Sequence, residues 1–538
     1  MITCKNCLRF IVHTVIAAGL LAGCTRRDAP APADAGAAVA HDGLASVCGN
    51  PLPMPAGFDY PQTAAAIGQW VAARDEARAR VHGWNLWAAL NTAPADVPVW
   101  RSWCTSTQAF QTAPAATAST GAAPAAAAPA AAGADGARNR HGMDAMNAMN
   151  ALNGSTAGED PINLPAPYYP VPQAIQARYS QCYNSANGQL RDGPTFQNNG
   201  DIMVAGVIYS QPAYEWIRDN QLYLASTLEG QLPAVNQLGQ MAAMPAGSIA
   251  LKPMMWPVRG DGLTALPVWD GPTSDNGRYA GYEIQSLWPR AVAITSSPQS
   301  EIATADVTYL HGVWSSNMLG RRLIGPLTYR QAPVVPIQRF YHFRFQTLDG
   351  MAPCDRAILD ASAYWAYGRE FRAGDYLAVV AMHIMTKEQP AWTFQSLWWH
   401  DRPDAGPFAA DRPNIAPARA PGPWRHYLMT STYGITAQPN GTIWPIAYNP
   451  YIELAAAHPI RTNCMNCHHR AAWTSRSAPA PTPSYEAASP PGPDALAVYN
   501  LNNPILNGLL GVDSLWSISD RATGPAVRGQ ARAPARQP

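Results

Sequence analysis

The chain carries a succession of short segments rich in Val, Ile, Tyr, Phe and Trp, each bounded by Gly, Pro, Asn or Asp. Such a pattern predicts β-strands. The predicted strands cover 201–210, 247–258, 282–295, 305–314, 334–346, 375–386 and 392–399. Because these strands follow one another with few helices between them, we expect mainly antiparallel pairing.

Helices are predicted in three places. Apolar residues recur at nearly helical spacing over 63–90, and no proline interrupts that segment. The segments 212–228 and 354–369 are the other two predicted helices. Together these elements predict an α+β fold that is mainly β. We expect an antiparallel, sandwich-like body with an N-terminal helical unit and a short C-terminal helical segment.

Composition divides the chain into seven segments, of which three have low complexity or are rich in proline. They are a signal peptide at 1–23, a tether at 24–47, the helical unit at 48–111, a low-complexity insert at 112–160, the β-rich body at 161–450, a segment carrying a CxxCH motif at 451–475, and a Pro-rich tail at 476–538. We expect the tail to be partly disordered.

The first residues predict export. Lys5 and Arg9 precede an apolar run over 11–21, which is too short to span a bilayer comfortably. The run ends at Leu21-Ala22-Gly23-Cys24, which resembles the bacterial lipobox. That resemblance implies cleavage before Cys24 and a lipid anchor on it. Thr25 follows and favours the outer membrane, facing the periplasm or the cell surface; the alternative is an ordinary secretory signal.

The overall charge argues against nucleic acid as a partner. Lys and Arg total 37, Asp and Glu total 36, and the formal net charge is +1. Binding to a phosphate backbone requires a basic surface. Wholesale disorder is also excluded, because the chain has 18 Trp and 22 Tyr.

One motif carries specific chemistry, namely Cys464-Met465-Asn466-Cys467-His468. The CxxCH spacing is that of covalent c-type haem, in which two thiols bind the porphyrin and the adjacent histidine ligates the iron. We therefore predict one covalent haem c per chain, attached through Cys464 and Cys467, with His468 as the proximal ligand. The alternatives are a CxxC disulfide, a zinc site with a nearby histidine, or chance.

A sixth iron ligand must come from upstream, because no Met or His follows His469. His82 is the first candidate, since it lies on an aromatic-rich predicted helix that could cover a porphyrin. The other candidates are His342, His383, His400, His426, His458 and several methionines. His383, Lys387 and Glu388 cluster at a predicted strand end; they could line a polar pocket near the haem, but we favour a solvated strand end.

Several segments are similar to those of a loosely defined cytochrome c family of exported proteobacterial lipoproteins, which have a single CxxCH near the end of a long β-rich body. The resemblance covers roughly 48–112 and 161–475. The segments that carry it are His82–Trp87, Gly247–Lys252, Met382–Glu388, Trp398–Pro403 and Asn463–His468. It implies a haem c protein.

Two further patterns carry weaker predictions. Met143, Met146 and Met149 repeat every three residues and would suit Cu(I), although we favour slippage in a repetitive insert as their origin. Four cysteines lie outside the signal peptide, the lipobox and the haem motif, namely Cys48, Cys104, Cys182 and Cys354. In an exported protein these predict up to two disulfides with three possible connectivities, and we expect Cys48 to pair with Cys104 because both flank the helical unit.

Three function classes fit these observations. The first is a membrane-anchored cytochrome that passes electrons to a redox partner protein. The second is a haem enzyme, peroxidase- or oxygenase-like, whose iron has an open face. The third is a β-sandwich binding lipoprotein with a structural or sensory haem. We favour electron transfer, because low-spin electron carriers dominate what CxxCH usually marks.

Overall fold

Antiparallel β-sheet dominates the computed structural model of the protein. The residues that the structure describes are 38–39, 48, 50–93, 97–112, 173–183, 190–198, 202–271, 288–297, 302–310, 326–405, 408–409, 412, 419–420, 422–433, 447–452, 464–469, 471–474 and 506–522. The fold is α+β and mainly β, as the sequence predicted. Among the described strands three pairs are parallel, and the others are antiparallel.

The described strands range from two to eleven residues in length. They are β1 Ala38–Val39, β2 Cys104–Thr105, β3 Gln197–Asn198, β4 Val204–Ala205, β5 Ile208–Tyr209, β6 Gly239–Gln240, β7 Ile249–Val258, β8 Leu263–Val268, β9 Arg290–Thr295, β10 Thr304–Tyr309, β11 Leu327–Pro336, β12 His342–Phe345, β13 Tyr376–Thr386, β14 Thr393–Trp399, β15 Tyr427–Tyr433, β16 Ala472–Trp473 and β17 Leu510–Gly511.

The helices are mostly short. They are α1 Ala64–Ala73, α2 Glu76–Leu90, α3 Ser106–Phe110, α4 Gln173–Arg178, α5 Gln211–Asp219, α6 Ala225–Glu229, α7 Pro353–Tyr367, α8 Cys464–His468 and α9 Trp516–Arg521. Short 3₁₀ helices occur at Val99–Ser102, Ser180–Cys182, Ile337–Arg339 and Gly422–His426. No helix among the described residues is long and apolar enough to cross a membrane.

Strand β13 organises the ten-stranded main sheet. It pairs with β7 along its whole length, with β12 over its first residues and with β14 over its last, and β14 in turn pairs with β15. All eleven residues of β13 are buried. A strand that is covered on both faces and bonded on both edges has little freedom to move, so side chains on β13 are held in fixed positions.

Two smaller sheets complete the fold. Strands β10, β11, β9 and β8 form one, and its buried residues share a hydrophobic core with those of the main sheet and of α7. Strands β16, β17 and β6 form the other. This second small sheet joins the residues that follow the CxxCH motif to the C-terminal segment 506–522, and it fixes the position of α8.

The helix predicted over 63–90 is two helices. Arg74 takes a left-handed conformation with φ of 53° and ends α1. Asp75 then caps α2, because its side chain accepts a hydrogen bond from the backbone N–H of Arg78. A side chain that satisfies a free N–H at a new helix start makes such a break favourable. The sequence contains this signal, since Asp is a preferred N-cap residue.

Both predicted disulfides are present. Cys48 pairs with Cys104, as expected, and Cys182 pairs with Cys354. Other sequence predictions lie outside the described residues, namely the signal peptide, the lipidation site Cys24, the insert from 113 to 160 with its methionines, His458, and the tail except for 506–522. Within the predicted tether, the structure describes β1, which pairs with β12.

Candidate functional site

The CxxCH motif forms α8, a single helical turn that packs against β15. Cys464 and Met465 at its start are buried in a hydrophobic cluster with Phe394 and Trp392. After the helix, the backbone N–H of Val512 donates to the carbonyl of Ala471, and β16 then pairs with β17. The motif is therefore held between the main sheet and the C-terminal segment.

Three rings meet beside α8, and we call His383, Phe394 and His468 the ring triad. The ring centres of His383 and His468 are 5.2 Å apart, with an angle of 28° between the rings. Phe394 lies 5.0 Å from His468 and 5.6 Å from His383. His383 comes from β13, Phe394 from β14 and His468 from α8, so the triad exists only in the folded chain.

The orientation of His468 is set by a backbone carbonyl. Its Nδ1 lies 2.8 Å from the carbonyl oxygen of Ser514. A carbonyl only accepts, so Nδ1 carries the proton of this hydrogen bond. Metal-ligating histidines almost always donate their other N–H in this way, because the bond fixes the ring and raises its basicity. The arrangement fits His468 as a ligand through Nε2.

The turn that presents this carbonyl is anchored by charge. Asp513 and Ser514 both have positive φ, of 47° and 67°. Asp513 Oδ1 accepts from Lys387 Nζ at 2.6 Å, and its Oδ2 accepts from the backbone N–H of Met244 at 2.8 Å. Lys387 is buried, which lowers its pKa, and the nearby Asp513 carboxylate opposes that effect. The ion pair thus holds an unusual turn against the end of β13.

His383 is a buried histidine with one unpaired nitrogen. Only 6% of its surface is exposed, and its Nδ1 lies 3.3 Å from Ser396 Oγ on the neighbouring strand. Its Nε2 has no hydrogen-bond partner within the described part of the chain. Burial, and to a smaller extent the charges of His468 and Lys252, lower the pKa of His383 well below its usual value. A neutral imidazole with an unused nitrogen is the form that binds a metal.

His82 lies in a different environment from the one that a distal iron ligand requires. Its Nδ1 is 3.0 Å from Tyr433 Oη, and its Nε2 is 3.1 Å from Glu388 Oε1. Tyr433 donates to the carbonyl of Ala79, so it must accept from Nδ1–H. Glu388 also accepts from the backbone N–H of Gln62. A carboxylate oxygen and an unprotonated ring nitrogen both only accept, so the contact between Glu388 and Nε2 requires a proton between them. Neither ring nitrogen of His82 therefore has a lone pair open to iron.

His383, Lys387 and Glu388, which were predicted to cluster, each contact a different partner. His383 faces His468, Lys387 binds Asp513, and Glu388 binds His82. Among the other candidate ligands, His400 Nε2 is paired with Asp270 at 3.1 Å.

Sequence reasoning missed Phe394, Ser396, Asp513 and Ser514 as members of the site. Phe394 and Ser396 alternate along a buried strand and look like ordinary core residues in the sequence. Asp513-Ser514 is a polar pair after an apolar run, which signals a turn. Nothing in the local sequence says that this turn meets His468.

In the described part of the chain no three His, Cys, Asp or Glu side chains are grouped so that they could hold a metal ion. The side chain of Cys467 is outside that part. No protein-family model matches the chain, and no curated protein or solved structure matches it either.

Proposed function

We propose that the protein is a membrane-anchored c-type cytochrome that carries one covalent haem and transfers electrons to a redox partner protein outside the cytoplasm. The observation that carries the proposal is the CxxCH motif on one helical turn, whose histidine donates through Nδ1 to the Ser514 carbonyl. This combination supplies both the attachment spacing and an oriented iron ligand. The resemblance to exported cytochrome c family lipoproteins adds support.

Residues of α8 and β14 would hold the haem. Cys464 and Cys467 would bind it covalently, His468 Nε2 would ligate the iron, and Phe394 would pack beside the ligand. Haem c, when bound, supplies an iron that accepts and releases one electron. The ring triad lies on or against the buried β13–β14 pair, which resists the rearrangement that slows electron transfer.

A structural zinc site is the second candidate. Two imidazoles that bind one tetrahedral zinc have ring centres about 5 Å apart, and the observed 5.2 Å between His383 and His468 fits this value. Zinc would need two further ligands; Cys464 is not grouped with the two histidines among the described residues, and the side chain of Cys467 lies outside them. We prefer haem because zinc sites usually separate their cysteine pair from their histidines, whereas His468 directly follows Cys467.

The test is expression of the full chain in cells with a haem-attachment system. We expect the wild type to keep its haem stain through denaturing electrophoresis, and the double variant Cys464→Ala/Cys467→Ala to lose it. Cys182→Ala/Cys354→Ala is the matched control, because it also removes two cysteines but should keep the stain. A colourless wild type that contains one zinc per chain would reject the cytochrome and favour the second candidate.

The proposed location has its own test. Labelled fatty acid should be incorporated into the wild type and not into Cys24→Ala, and that variant should leave the membrane fraction. Equal labelling of both chains would contradict the lipid anchor while leaving the haem proposal standing.

A further inference from the structure

We propose that helix α1 is a pH-sensitive flap, held on the main sheet by His82 and Glu388, a buried pair that shares one proton. The flap opens when the pair gives up that proton. The device lies on the opposite face of β14 from the ring triad, because Thr393 and Gln395 alternate with Phe394 along that strand. It therefore goes beyond the proposed function and does not depend on haem.

The pair belongs to a closed cycle of hydrogen bonds between α2 and the main sheet. Its six members are all buried, and they are His82, Thr386, Glu388, Thr393, Gln395 and Tyr433. Thr386 Oγ1 donates to Glu388 Oε2 at 2.5 Å and lies 2.6 Å from Thr393 Oγ1. Gln395 Nε2 lies 3.2 Å from both Thr393 Oγ1 and Tyr433 Oη. The two nitrogens of the histidine ring complete the cycle.

The donors in this cycle point toward the carboxylate. A side-chain amide nitrogen only donates, so Thr393 Oγ1 accepts from Gln395 and passes its own proton to Thr386. Reversing this order, so that Glu388 Oε2 carried a proton, would leave the Thr393 hydroxyl without an acceptor in the cycle. The other carboxylate oxygen, Oε1, also accepts from the backbone N–H of Gln62 at 2.6 Å. The closed cycle therefore has no place for a second proton.

The closed cycle cannot lose its one shared proton either. Without that proton, His82 Nε2 and Glu388 Oε1 would be two acceptors facing each other at 3.1 Å. The exposed fractions of the two side chains are 1% and 0%, so water does not reach the contact. An uncompensated charge at such a depth is strongly unfavourable. The pair therefore keeps one proton for as long as it stays buried.

The other ionisable groups around the pair keep their charge states in the range of interest. Burial, and then the charge of Glu388, raises the pKa of Tyr60, and burial also raises the pKa of Tyr433. Both phenols therefore stay neutral. Arg80 on α2 donates to two backbone carbonyls, and the Lys387 ammonium points to the C-terminal turn. The proposed pair is thus the unit that responds to pH.

Helix α1 is the element that can open. Its Trp70 lies against the rings of His82 and Tyr433, with centre distances of 5.7 Å and 6.5 Å. Gln62, just before the helix, holds it to Glu388. Only two of the ten residues of α1 are buried, whereas ten of the fifteen residues of α2 are. Elements that bury little surface open at the lowest cost, so α1 opens before α2 does.

The direction of the pH effect follows from counting protons. Opening α1 lets water reach the pair, and a solvated histidine loses its proton near pH 6.5. Above about pH 6.5 the open form has lost a proton that the closed form keeps, so each further pH unit favours opening by about tenfold. A solvated glutamate gains a second proton near pH 4.3, so the closed form is most favoured between about pH 4.3 and about pH 6.5.

Amide hydrogen exchange of the full-length protein, followed by mass spectrometry at about pH 5.5 and about pH 8.5, tests the proposal. After correction for the intrinsic exchange rates, protection of peptides from 62–73 should fall by about 100-fold at the higher pH. Protection of peptides from β13 should stay constant. Glu388→Gln places an amide donor beside a neutral His82, so its protection should not fall at the higher pH. Asp306→Asn removes a carboxylate on the four-stranded sheet and should behave as the wild type does.

Each outcome decides the question. Equal protection of 62–73 at the two pH values in the wild type would overturn the proposal, and this result needs no variant to fold. A parallel loss in β13 would show that the sheet opens with the helix, which also rejects a flap. If Glu388→Gln loses protection as the wild type does, another group is responsible and the pair is excluded. Haem staining is scored separately, because the proposed function can fail while the flap stands.

Discussion

The buried charged side chains at the site are each paired with a specific side chain. Lys387 and Glu388 are adjacent in sequence and both almost fully buried, yet one binds Asp513 and the other His82. Removing one member of a buried charged pair typically costs several kcal/mol, since the other member keeps its desolvation penalty. His383 differs from both, because its Nε2 has no hydrogen-bond partner among the described residues.

We expect His426 to make the stability of the protein depend on pH. Burial lowers its pKa to about 4, and the charges of Arg339, Arg425 and Arg412 act in the same direction. In the unfolded chain a histidine titrates near pH 6.5. As pH falls from about 6.5 to about 4, the unfolded chain binds a proton that the folded chain does not, so the free energy of unfolding decreases.

We therefore predict that His426→Gln flattens this part of the pH profile. The loss of stability between about pH 7 and about pH 4.5 should be smaller in the variant by about 1–2 kcal/mol, because partial exposure of the ring reduces the full effect. Urea unfolding at the two pH values measures the difference. Parallel profiles for the wild type and the variant would show that His426 is not the responsible group.

Among the elements, the turn at 512–514 connects the C-terminal segment to the motif. Its Asp513 binds both Lys387 at the end of β13 and the backbone of Met244, and its next carbonyl accepts from His468. Three separate parts of the chain therefore fix one hydrogen bond to the proposed proximal ligand.

We predict that Asp513→Ala raises the reduction potential of the haem-loaded protein by tens of millivolts. The variant loses the Lys387 ion pair, so the Ser514 carbonyl is less firmly held and the bond from His468 Nδ1 weakens. A weaker bond makes the imidazole a poorer electron donor, which favours the reduced iron. Redox titration followed by absorbance measures the shift.

Asp306→Ala is the control for this experiment. Asp306 is an exposed carboxylate that pairs with Arg330 on the four-stranded sheet. Asp306→Ala removes the same negative charge from a position that does not contact the turn. The reduction potential of this variant should therefore equal that of the wild type. Equal shifts in both variants would indicate a general charge effect instead of a loosened ligand.

At the scale of the whole molecule, the two disulfides close loops of very different length. Cys182–Cys354 links residues 172 positions apart and ties a 3₁₀ helix to α7, whereas Cys48–Cys104 spans 56 positions. Cross-links stabilise mainly by restricting the unfolded chain, and longer loops gain more.

We predict that Cys182→Ala/Cys354→Ala lowers the free energy of unfolding by about 2–5 kcal/mol. The loss should exceed that of Cys48→Ala/Cys104→Ala by about 1 kcal/mol, because of the longer loop. Guanidinium unfolding of the two double variants under identical conditions compares them directly. A larger loss for the shorter loop would mean that native packing around Cys48 and Cys104, not chain entropy, dominates.

The fold class and the positions of several long strands followed from the sequence alone, and the haem chemistry of the motif stays a prediction. β7, β13 and β14 lie where segments rich in Val, Ile, Tyr, Phe and Trp predicted strands. Among the longer strands, β8 and β15 were not predicted. Their strand conformation depends on pairing with β9 and β14, which the local sequence does not contain.

The residues that surround the motif follow from the tertiary fold and not from the local sequence. The CxxCH spacing is local, and five consecutive residues suffice to specify it. His383, Phe394 and Ser514 reach His468 from two strands and a C-terminal turn, and sheet register sets which of their side chains face it. A register shift of one residue would turn His383 to the other face of the sheet. His82 was a reasonable candidate from its helix alone, but Glu388 and Tyr433, more than 300 residues away, occupy both of its nitrogens.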